Sequence, residues 1–187
     1  MKNLCLYIIL TVVGSPMSSY MCNGAEPARA ANGPEHEIGI KNSGFEKSGD
    51  SRAWRFYTQG NADAAGYYDE TQQHGGMSSM RLSSRSNFEP NVYGALVQKL
   101  DGLKPECKYE LTVWIKGESV SHCTIAVGPG WKLRKSLPKG TYDWRSVTFQ
   151  FETPKDLAGS FPLVFIVEGP TDGIWIDDIS LMEDSQN

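Results

Sequence analysis

Carboxylate side chains near the end of the chain are the first candidates for chemistry. The segment Gly173–Leu181 is rich in β-branched and aromatic residues, which is typical of a strand. Strand alternation gives Asp177 the same parity as Trp175, Ile179 and Leu181, and therefore predicts that all four face the core. A buried carboxylate has to be ion-paired, hydrogen-bonded or bound to a metal. The pattern therefore predicts a partner for this carboxylate elsewhere in the chain.

A catalytic constellation is harder to find. Alternation points the neighbouring Asp177 and Asp178 to opposite faces of the sheet, so they could not act together on one glycosidic bond. His36, His74 and His122 are the three histidines, and we expect each at the surface. The chain has no nucleophile elbow, zinc-binding helix or phosphate-binding glycine loop. The sequence therefore does not predict an enzyme.

Aromatic residues on the faces of strands that point away from the core are candidates for binding. Tyr93 has the parity opposite to Leu96, and Trp114 has the parity opposite to Leu111. Trp131 lies just after a Gly-Pro-Gly loop. A sugar has an apolar ring face for stacking and a polar edge for hydrogen bonds. Such rings favour a glycan-binding surface, with the alternative that they pack beneath loops.

The elements that would position these residues are strands. Residues 107–116 give the clearest alternation, with Tyr109, Leu111, Val113 and Ile115 on one face. Other strands are predicted at residues 38–46, 53–58, 78–83, 93–100, 122–128, 144–152, 161–168 and 174–181. Many short strands without a helical period predict an all-β sandwich or barrel.

Length and composition restrict the class of protein. With 187 residues, the chain is long enough for one domain after removal of a targeting segment. Charged residues make up 21% and aromatic residues 11%, which favours a folded domain over a disordered one. The formal net charge is −4, so nucleic acid is not an expected partner. We expect a monomer.

The N-terminus has the pattern of an export signal. Lys2 precedes the apolar run Leu4–Val13, which is too short to span a bilayer. We predict a signal peptide at residues 1–24, a flexible leader at 25–37 and one β-sandwich domain at 38–184. The protein is therefore expected to be secreted, periplasmic or at the cell surface, with no membrane-spanning segment.

The cysteines give little indication of disulfides or metal. Cys5 and Cys22 belong to the predicted signal, and Met21 disfavours lipid attachment at Cys22. Cys107 and Cys123 remain in the domain. On two strands of one hairpin they would be several residue pairs out of register, so we predict two free and mostly buried thiols.

Taken in order, several motifs resemble carbohydrate-binding modules of families four, nine and twenty-two. They are Asn42-Ser-Gly-Phe-Glu46, Trp54, Gly76-Met-Ser-Ser-Met-Arg-Leu82, Tyr93-Gly94, Gln98-Lys-Leu-Asp-Gly-Leu103, Tyr109-Glu-Leu-Thr-Val-Trp-Ile-Lys116, Trp144 and Ile176-Asp-Asp-Ile-Ser-Leu181. The resemblance covers about residues 38–183. It implies a galactose-binding-like jelly-roll β-sandwich that is not catalytic and binds polysaccharide in a cleft on its concave sheet. Relatives of this kind usually accompany a glycoside hydrolase, so a separate hydrolase is an expected partner.

The resemblance also implies site residues. It implies structural calcium held by the side chains of Glu46 and Asp177, with backbone carbonyls of residues 74–78 completing the shell. The alternative for Asp177 is hydrogen bonding to a loop. The implied carbohydrate-binding residues, together with Trp114 from the strand pattern, are Tyr57, Arg81, Tyr93, Trp131 and Glu168.

The leading hypothesis is therefore an exported, non-catalytic protein that holds a polysaccharide or oligosaccharide on a concave sheet face. A structural or adhesive jelly roll that binds a protein partner is the second hypothesis. The third is a small hydrolase, which would require a pair of carboxylates facing each other across the cleft.

Overall fold

Ten strands in two antiparallel sheets make up most of the domain. The computed structural model describes residues 38–50, 52–157 and 159–184, so the predicted signal peptide and leader lie outside the described residues. The strands are β1 Arg55–Gln59, β2 Ala64–Asp69, β3 Ser79–Ser84, β4 Tyr93–Leu100, β5 Lys108–Val120, β6 Cys123–Val127, β7 Leu133–Ser136, β8 Gly140–Glu152, β9 Phe161–Val167 and β10 Thr171–Glu183. The predicted all-β class is confirmed.

The strands are divided equally between the two sheets. Sheet A has the order β1-β4-β9-β6-β7, and sheet B has the order β2-β3-β10-β5-β8. The 3-10 turn Pro129–Trp131 is the one helical element among the described residues. None of the helical structure in that part of the chain is long and apolar enough to cross a membrane.

The core lies between the inward faces of the two sheets. In β5, Tyr109, Leu111, Val113 and Ile115 are fully buried, as their common parity predicts. Sheet A contributes inward residues of its three central strands, namely Leu96, Leu100, Ile125, Val127, Leu163, Phe165 and Val167. Burial of these side chains removes apolar surface from water and is the main favourable term for the fold.

The closing strand β10 contains a β-bulge. Its register against β5 shifts between Asp177 and Ser180, and Asp178 has a φ of 42°. Ile176 before the bulge and Ile179 after it both face the core. The bulge therefore changes which parity points inward, and uninterrupted alternation cannot anticipate that change.

Two predictions about β10 are wrong for this reason. Trp175 is only 6% exposed, but it is not part of the core cluster and lies on the outer face of sheet B. The carboxylates of Asp177 and Asp178 do not point apart, since both reach His74. Asp177 Oδ2 accepts the His74 backbone N–H at 2.8 Å, and Asp178 Oδ2 lies 2.6 Å from the His74 ring Nδ1.

Other predicted boundaries differ from the structure where the backbone turns. Residues 38–46 do not form a strand, because Asn42 (φ 48°) and Phe45 (φ 50°) are in the left-handed region. Strand β5 continues past residue 116, where the predicted strand ended, and runs to Val120. Strand β7 was not predicted, because all four of its residues are exposed and show no alternation.

The two cysteines of the domain are free, as predicted, but the reason given above was wrong. Cys107 precedes β5 in sheet B, whereas Cys123 begins β6 in sheet A, so they do not belong to one hairpin. Burial raises the pKa of the Cys123 thiol to about 12, although a contact with the Thr171 hydroxyl opposes this shift. Cys107 is half-buried.

Candidate functional site

The outer face of sheet A has a floor of small and aliphatic side chains. Ala95 in β4, Val164 and Ile166 in β9, and Ala126 in β6 form a buried cluster separate from the core. Pairing sets them side by side, because Ala95 is opposite Ile166 and Ala126 is opposite Val164. These residues alternate with the inward residues of the same strands. The result is a low apolar floor that runs across the three central strands of the sheet.

Three aromatic rings pack on this floor. Tyr57 of β1, Tyr93 of β4 and Trp131 of the 3-10 turn are half-buried against the cluster. The Tyr93 and Trp131 rings meet edge to face, with centroids 5.7 Å apart and planes at 69°. Tyr57 pairs with Ala95, which is two residues from Tyr93. The structure therefore brings together these three residues, which were predicted to share one face.

Tyr57 is kept neutral at ordinary pH by its surroundings. Burial raises the pKa of Tyr57, and the adjacent Tyr93 hydroxyl adds to the shift, while Arg55 opposes it. The Arg55 guanidinium carbon lies 5.9 Å from the centroid of the Tyr57 ring. The Tyr57 hydroxyl is therefore available as a hydrogen-bond donor and acceptor at the edge of its ring.

Glu168 supplies a carboxylate at the end of this face. It follows β9 directly, and its neighbour Val167 pairs with Gly94, so Glu168 lies close to Tyr93. The Thr124 hydroxyl donates to Glu168 Oε2 at 3.2 Å, and Arg134 Nη2 lies 3.7 Å from Oε1. Among the described strand positions of this face it is the one carboxylate, so the face lacks the carboxylate pair that a glycosidase needs.

Arg81 and Trp114 do not lie on this surface. Arg81 belongs to β3 and Trp114 to β5, and both strands are in sheet B. The prediction that they line one cleft with Tyr57 and Tyr93 is therefore wrong. Parity places each side chain outward correctly, but parity within one strand carries no information on which sheet contains that strand.

The surroundings of Trp114 support the alternative reading of a covered ring. The His74 imidazole stacks on it with centroids 3.8 Å apart and planes at 15°. Arg81 packs over Trp175 at 5.0 Å from the ring centroid, and its guanidinium donates to the Tyr67 hydroxyl and to the Asp172 carbonyl. These side chains of sheet B are therefore engaged with each other.

The residues implied as calcium ligands face backbone N–H groups. Asp177 Oδ2 accepts from His74 N at 2.8 Å and from Gly75 N at 3.2 Å, and Oδ1 accepts from Asp178 N at 2.8 Å. Burial raises the pKa of Asp177, although these three N–H groups oppose the rise. Glu46 Oε1 accepts from Met77 N at 2.8 Å. The loop at residues 74–77 thus binds two carboxylates through successive amides.

Both oxygens of the Asp177 carboxylate already accept hydrogen bonds from backbone N–H groups. Calcium takes six to eight oxygen ligands, whereas the Asp177 carboxylate is surrounded by the positive ends of N–H dipoles. Within residues 38–184, apart from 51 and 158, no group of three or more His, Cys, Asp or Glu residues is arranged to hold a metal. Calcium at Glu46 and Asp177 stays a prediction, and the hydrogen-bonded alternative for Asp177 is the one that its contacts favour.

Two polar residues of the sheet A face were missed from the sequence. Arg55 has the parity of Tyr57, two residues later, and this signal could have identified it. Arg134 pairs with Ala126 from the unpredicted strand β7, so no sequence pattern pointed to it.

A family model described as a carbohydrate binding domain matches residues 39–173 of the chain. None of the curated proteins matches it in sequence.

Solved structures with the same fold include other carbohydrate-binding modules. The chain is similar to TmCBM61, solved with β-1,4-galactotriose, at 20% identity and TM-score 0.53, over 79% of this chain and 99% of that one. It is similar to the C-terminal family 22 module of Clostridium thermocellum Xyn10B at 14% identity and TM-score 0.53, over 78% and 92%.

A larger protein also contains a similar fold. The enzymatically active domain of bacteriophage CBA120 tailspike protein 4 matches at 15% identity and TM-score 0.59, over 79% of this chain, and the chain spans 21% of that domain. At these identities the likeness concerns the fold, and it confirms the jelly-roll sandwich that the resemblance implied.

Proposed function

The chain belongs to the carbohydrate binding domain family, and on that premise we propose that the outer face of sheet A holds a polysaccharide by ring stacking and edge hydrogen bonds. The matched family is described as a carbohydrate binding domain, so membership points to carbohydrate binding rather than to catalysis for this domain. The proposal adds the location and the manner of binding.

One observation carries this location: three half-buried rings pack over one apolar floor. Tyr57, Tyr93 and Trp131 meet on sheet A, while Glu168 and Thr124 present polar atoms beside them. Apolar sugar faces can lie on the rings, and sugar hydroxyl groups can donate to the carboxylate or accept from the tyrosines. A shallow surface of this kind recovers little of the entropy lost on binding, so the expected affinity is weak.

The cellular setting is part of the proposal. The apolar run Leu4–Val13 after Lys2 supports export, and a secreted, periplasmic or cell-surface protein would meet extracellular polysaccharide. We expect the protein to act as a monomer and to bring a separate glycoside hydrolase to its substrate.

Affinity electrophoresis against soluble polysaccharides tests the proposal. The panel contains neutral β-glucan, xylan and β-1,4-galactan together with acidic polysaccharides. We expect at least one polysaccharide to retard the wild-type protein. Tyr93→Ala should abolish the retardation, because it removes the central ring of the aromatic strip formed by Tyr57, Tyr93 and Trp131. Tyr67→Ala is the matched control, since Tyr67 is 43% exposed on the outer face of sheet B.

The two variants separate the competing readings. Equal loss of retardation in Tyr93→Ala and Tyr67→Ala would contradict the assignment of the site to sheet A. A folded wild-type protein that no polysaccharide retards would favour the alternative of a structural or adhesive module with a protein partner.

A further inference from the structure

The two outer faces of the sandwich differ in charge. The outward strand positions of sheet A, with Glu168 directly after β9, carry three cations and one carboxylate, namely Arg55, Lys99, Arg134 and Glu168. Those of sheet B carry three cations and six carboxylates, namely Arg81, Lys108, Lys116, Asp69, Glu110, Glu118, Asp143, Glu152 and Asp177. The chain as a whole has a formal charge of −4. The face that carries the binding rings is therefore positive on a protein that is negative.

The positive charge extends into a cavity at one end of the aromatic strip. This cavity has a volume of about 280 Å³, and its lining includes Arg134, Lys139, His122, Thr124 and Glu168. The Lys139 ammonium donates to His122 Nε2 at 3.2 Å, which holds the ammonium at the cavity. Two cationic side chains and one carboxylate leave this cavity with a net positive charge.

The cavity adjoins the aromatic strip through strand pairing. Val167 pairs with both Gly94 and Cys123, so the residues beside them, Tyr93, Glu168 and His122, follow one another across the sheet. The Phe88 ring, 55% exposed, stacks on His122 with centroids 4.5 Å apart and forms an outer wall. A sugar stacked on Tyr93 would therefore place its next substituent or unit at the cavity.

The donors of this cavity are not used up by their protein contacts. The Arg134 side chain is 46% exposed and contacts Glu168 Oε1 through Nη2 at 3.7 Å, whereas a guanidinium has five N–H donors. The Lys139 ammonium has three donors, and the contact with His122 Nε2 uses one of them. Charge-assisted hydrogen bonds from such groups to carboxylate or sulfate are about twice as strong as neutral ones.

We propose that the glycan bound by this face is acidic, with a carboxylate or sulfate group held by Arg134 and Lys139 in the cavity beside Tyr93. This inference rests on the proposed function and names the ligand class of the same site. Neutral sugars have no group that would use the two cations, whereas a uronate or sulfated unit would pair with them.

Calorimetric titration of the full chain with three galactose-based polymers tests the inference. Polygalacturonate provides carboxylates, a sulfated galactan provides sulfates, and β-1,4-galactan is neutral. We expect at least one acidic polymer to bind about tenfold or more tightly than the neutral one, since a hydrogen bond to a charged group is worth on the order of 1.5–3 kcal/mol. The polymer that binds identifies the anionic group.

Charge variants and salt provide independent readouts. Arg134→Gln and Lys139→Gln should each lower the affinity for the acidic polymer by about tenfold. Arg134→Lys should recover part of the loss, and Lys108→Gln, an exposed cation of sheet B, should change nothing. Raising the salt concentration should weaken binding, because exposed charges are screened.

The outcomes distinguish this inference from the proposed function. A neutral polysaccharide of the wider panel that binds at least as tightly as both acidic polymers, with no response to salt or to Arg134→Gln, overturns the acidic ligand and leaves the binding face intact. Failure of every polymer, neutral or acidic, to bind overturns both.

Discussion

The outer faces of the two sheets use aromatic rings in opposite ways. On sheet A, Tyr57, Tyr93 and Trp131 rest on a floor of small side chains. On sheet B, Trp114 and Trp175 are covered by His74 and Arg81. Alternation placed rings outward on both sheets, so an outward ring is not in itself a binding site. The difference comes from the segments that connect the strands.

The cover of sheet B is the connection between β2 and β3. Its residues His74, Gly75 and Met77 donate backbone N–H groups to Asp177 and Glu46. Glycine is required within it, because a Cβ on Gly75 would lie 2.6 Å from Asp178 Oδ2. These hydrogen bonds form a clasp between the loop and the two carboxylates, and the clasp holds the His74 ring over Trp114. Sheet A has no comparable clasp among the described residues, and its rings stay accessible at their edges.

A second cover on sheet B is a side chain. The Trp175 indole N–H donates to Asp69 Oδ2 at 2.8 Å, and the Arg81 guanidinium lies over the ring. Arg81 Nε is buried with no hydrogen-bond partner, which is a cost that the contact with the ring helps to offset. This cost is consistent with a structural role for Arg81.

The largest expected effect tests whether Trp175 is structural. Trp175→Ala should lower the free energy of unfolding by about 3–5 kcal/mol, because it leaves a cavity under Arg81 and removes the donor to Asp69 Oδ2. Urea denaturation measures the loss. Glycan affinity of the folded variant should be unchanged. A variant of normal stability and lost affinity would assign binding to sheet B.

The next effect concerns the clasp that covers Trp114. Asp177→Ala should cost about 2–3 kcal/mol of stability, because it removes a buried carboxylate that accepts three backbone hydrogen bonds. Tryptophan near-ultraviolet dichroism should change as the His74 ring is released. We expect a chelator to leave the wild-type melting temperature unchanged.

The chelator also tests the calcium prediction directly. A wild-type melting temperature that falls with chelator and recovers with added calcium would establish a cation at Glu46 and Asp177 instead of the hydrogen-bonded clasp. Glu89→Gln, a change at an exposed loop position, serves as the control for the loss of one carboxylate.

The regular strands could be predicted from sequence because their signal is local. The bounds of β4 were predicted at residues 93–100, and the core face of β5 was also correct, since both strands alternate without interruption. The bulge at Asp177 was not predictable, because it depends on a left-handed residue at Asp178 that pattern alone does not reveal. This one irregularity caused the errors at Trp175 and at the two carboxylates.

The site was only partly predictable for a different reason. Tyr93 and Trp131 follow from parity and loop position, but their meeting with Tyr57 depends on the sheet order β1-β4-β9-β6. Sheet membership is decided by contacts distant in sequence, and for this reason Arg81 and Trp114 were assigned to the wrong surface. The basic cavity at Arg134 depends on an exposed edge strand with no periodic signal.

A smaller effect is expected at Trp131, at the edge of the aromatic strip on sheet A. Trp131→Ala should weaken glycan binding by about three- to tenfold, because a ring contact is worth about 0.5–1.5 kcal/mol. Its stability should change by less than that of Trp175→Ala, since Trp131 lies in an exposed turn and outside the core cluster. Titration calorimetry and urea denaturation of the same sample measure both. A stability loss as large as that of Trp175→Ala would remove the contrast between the faces.

The smallest expected effect is a difference in pH response between the faces. Burial alone would raise the pKa of Asp69, but hydrogen bonds from Thr71 and Trp175 and the nearby Arg81 hold it below its ordinary value of 3.8. Its contribution to stability is therefore present above pH 3.8 and is lost as the pH falls through the lowered pKa. Tyr57 behaves in the opposite direction, because burial raises its pKa above 10. Its contribution is present below pH 10 and is lost as the pH rises further, since the unfolded chain ionises first.

Thermal melting between pH 2 and 11 measures the acid limb and the alkaline limb of the curve of stability against pH. Asp69→Asn should flatten only the acid limb and Tyr57→Phe only the alkaline limb, each by a few degrees at most, because each variant removes one of the two titrations. Phenylalanine keeps the ring of Tyr57, so stacking and the fold of sheet A are preserved while the titrating hydroxyl is lost. An acid limb that is unchanged in Asp69→Asn would mean that Asp69 does not hold Trp175 in place. The contrast between fixed rings on sheet B and accessible rings on sheet A would then rest on His74 and Trp114 alone.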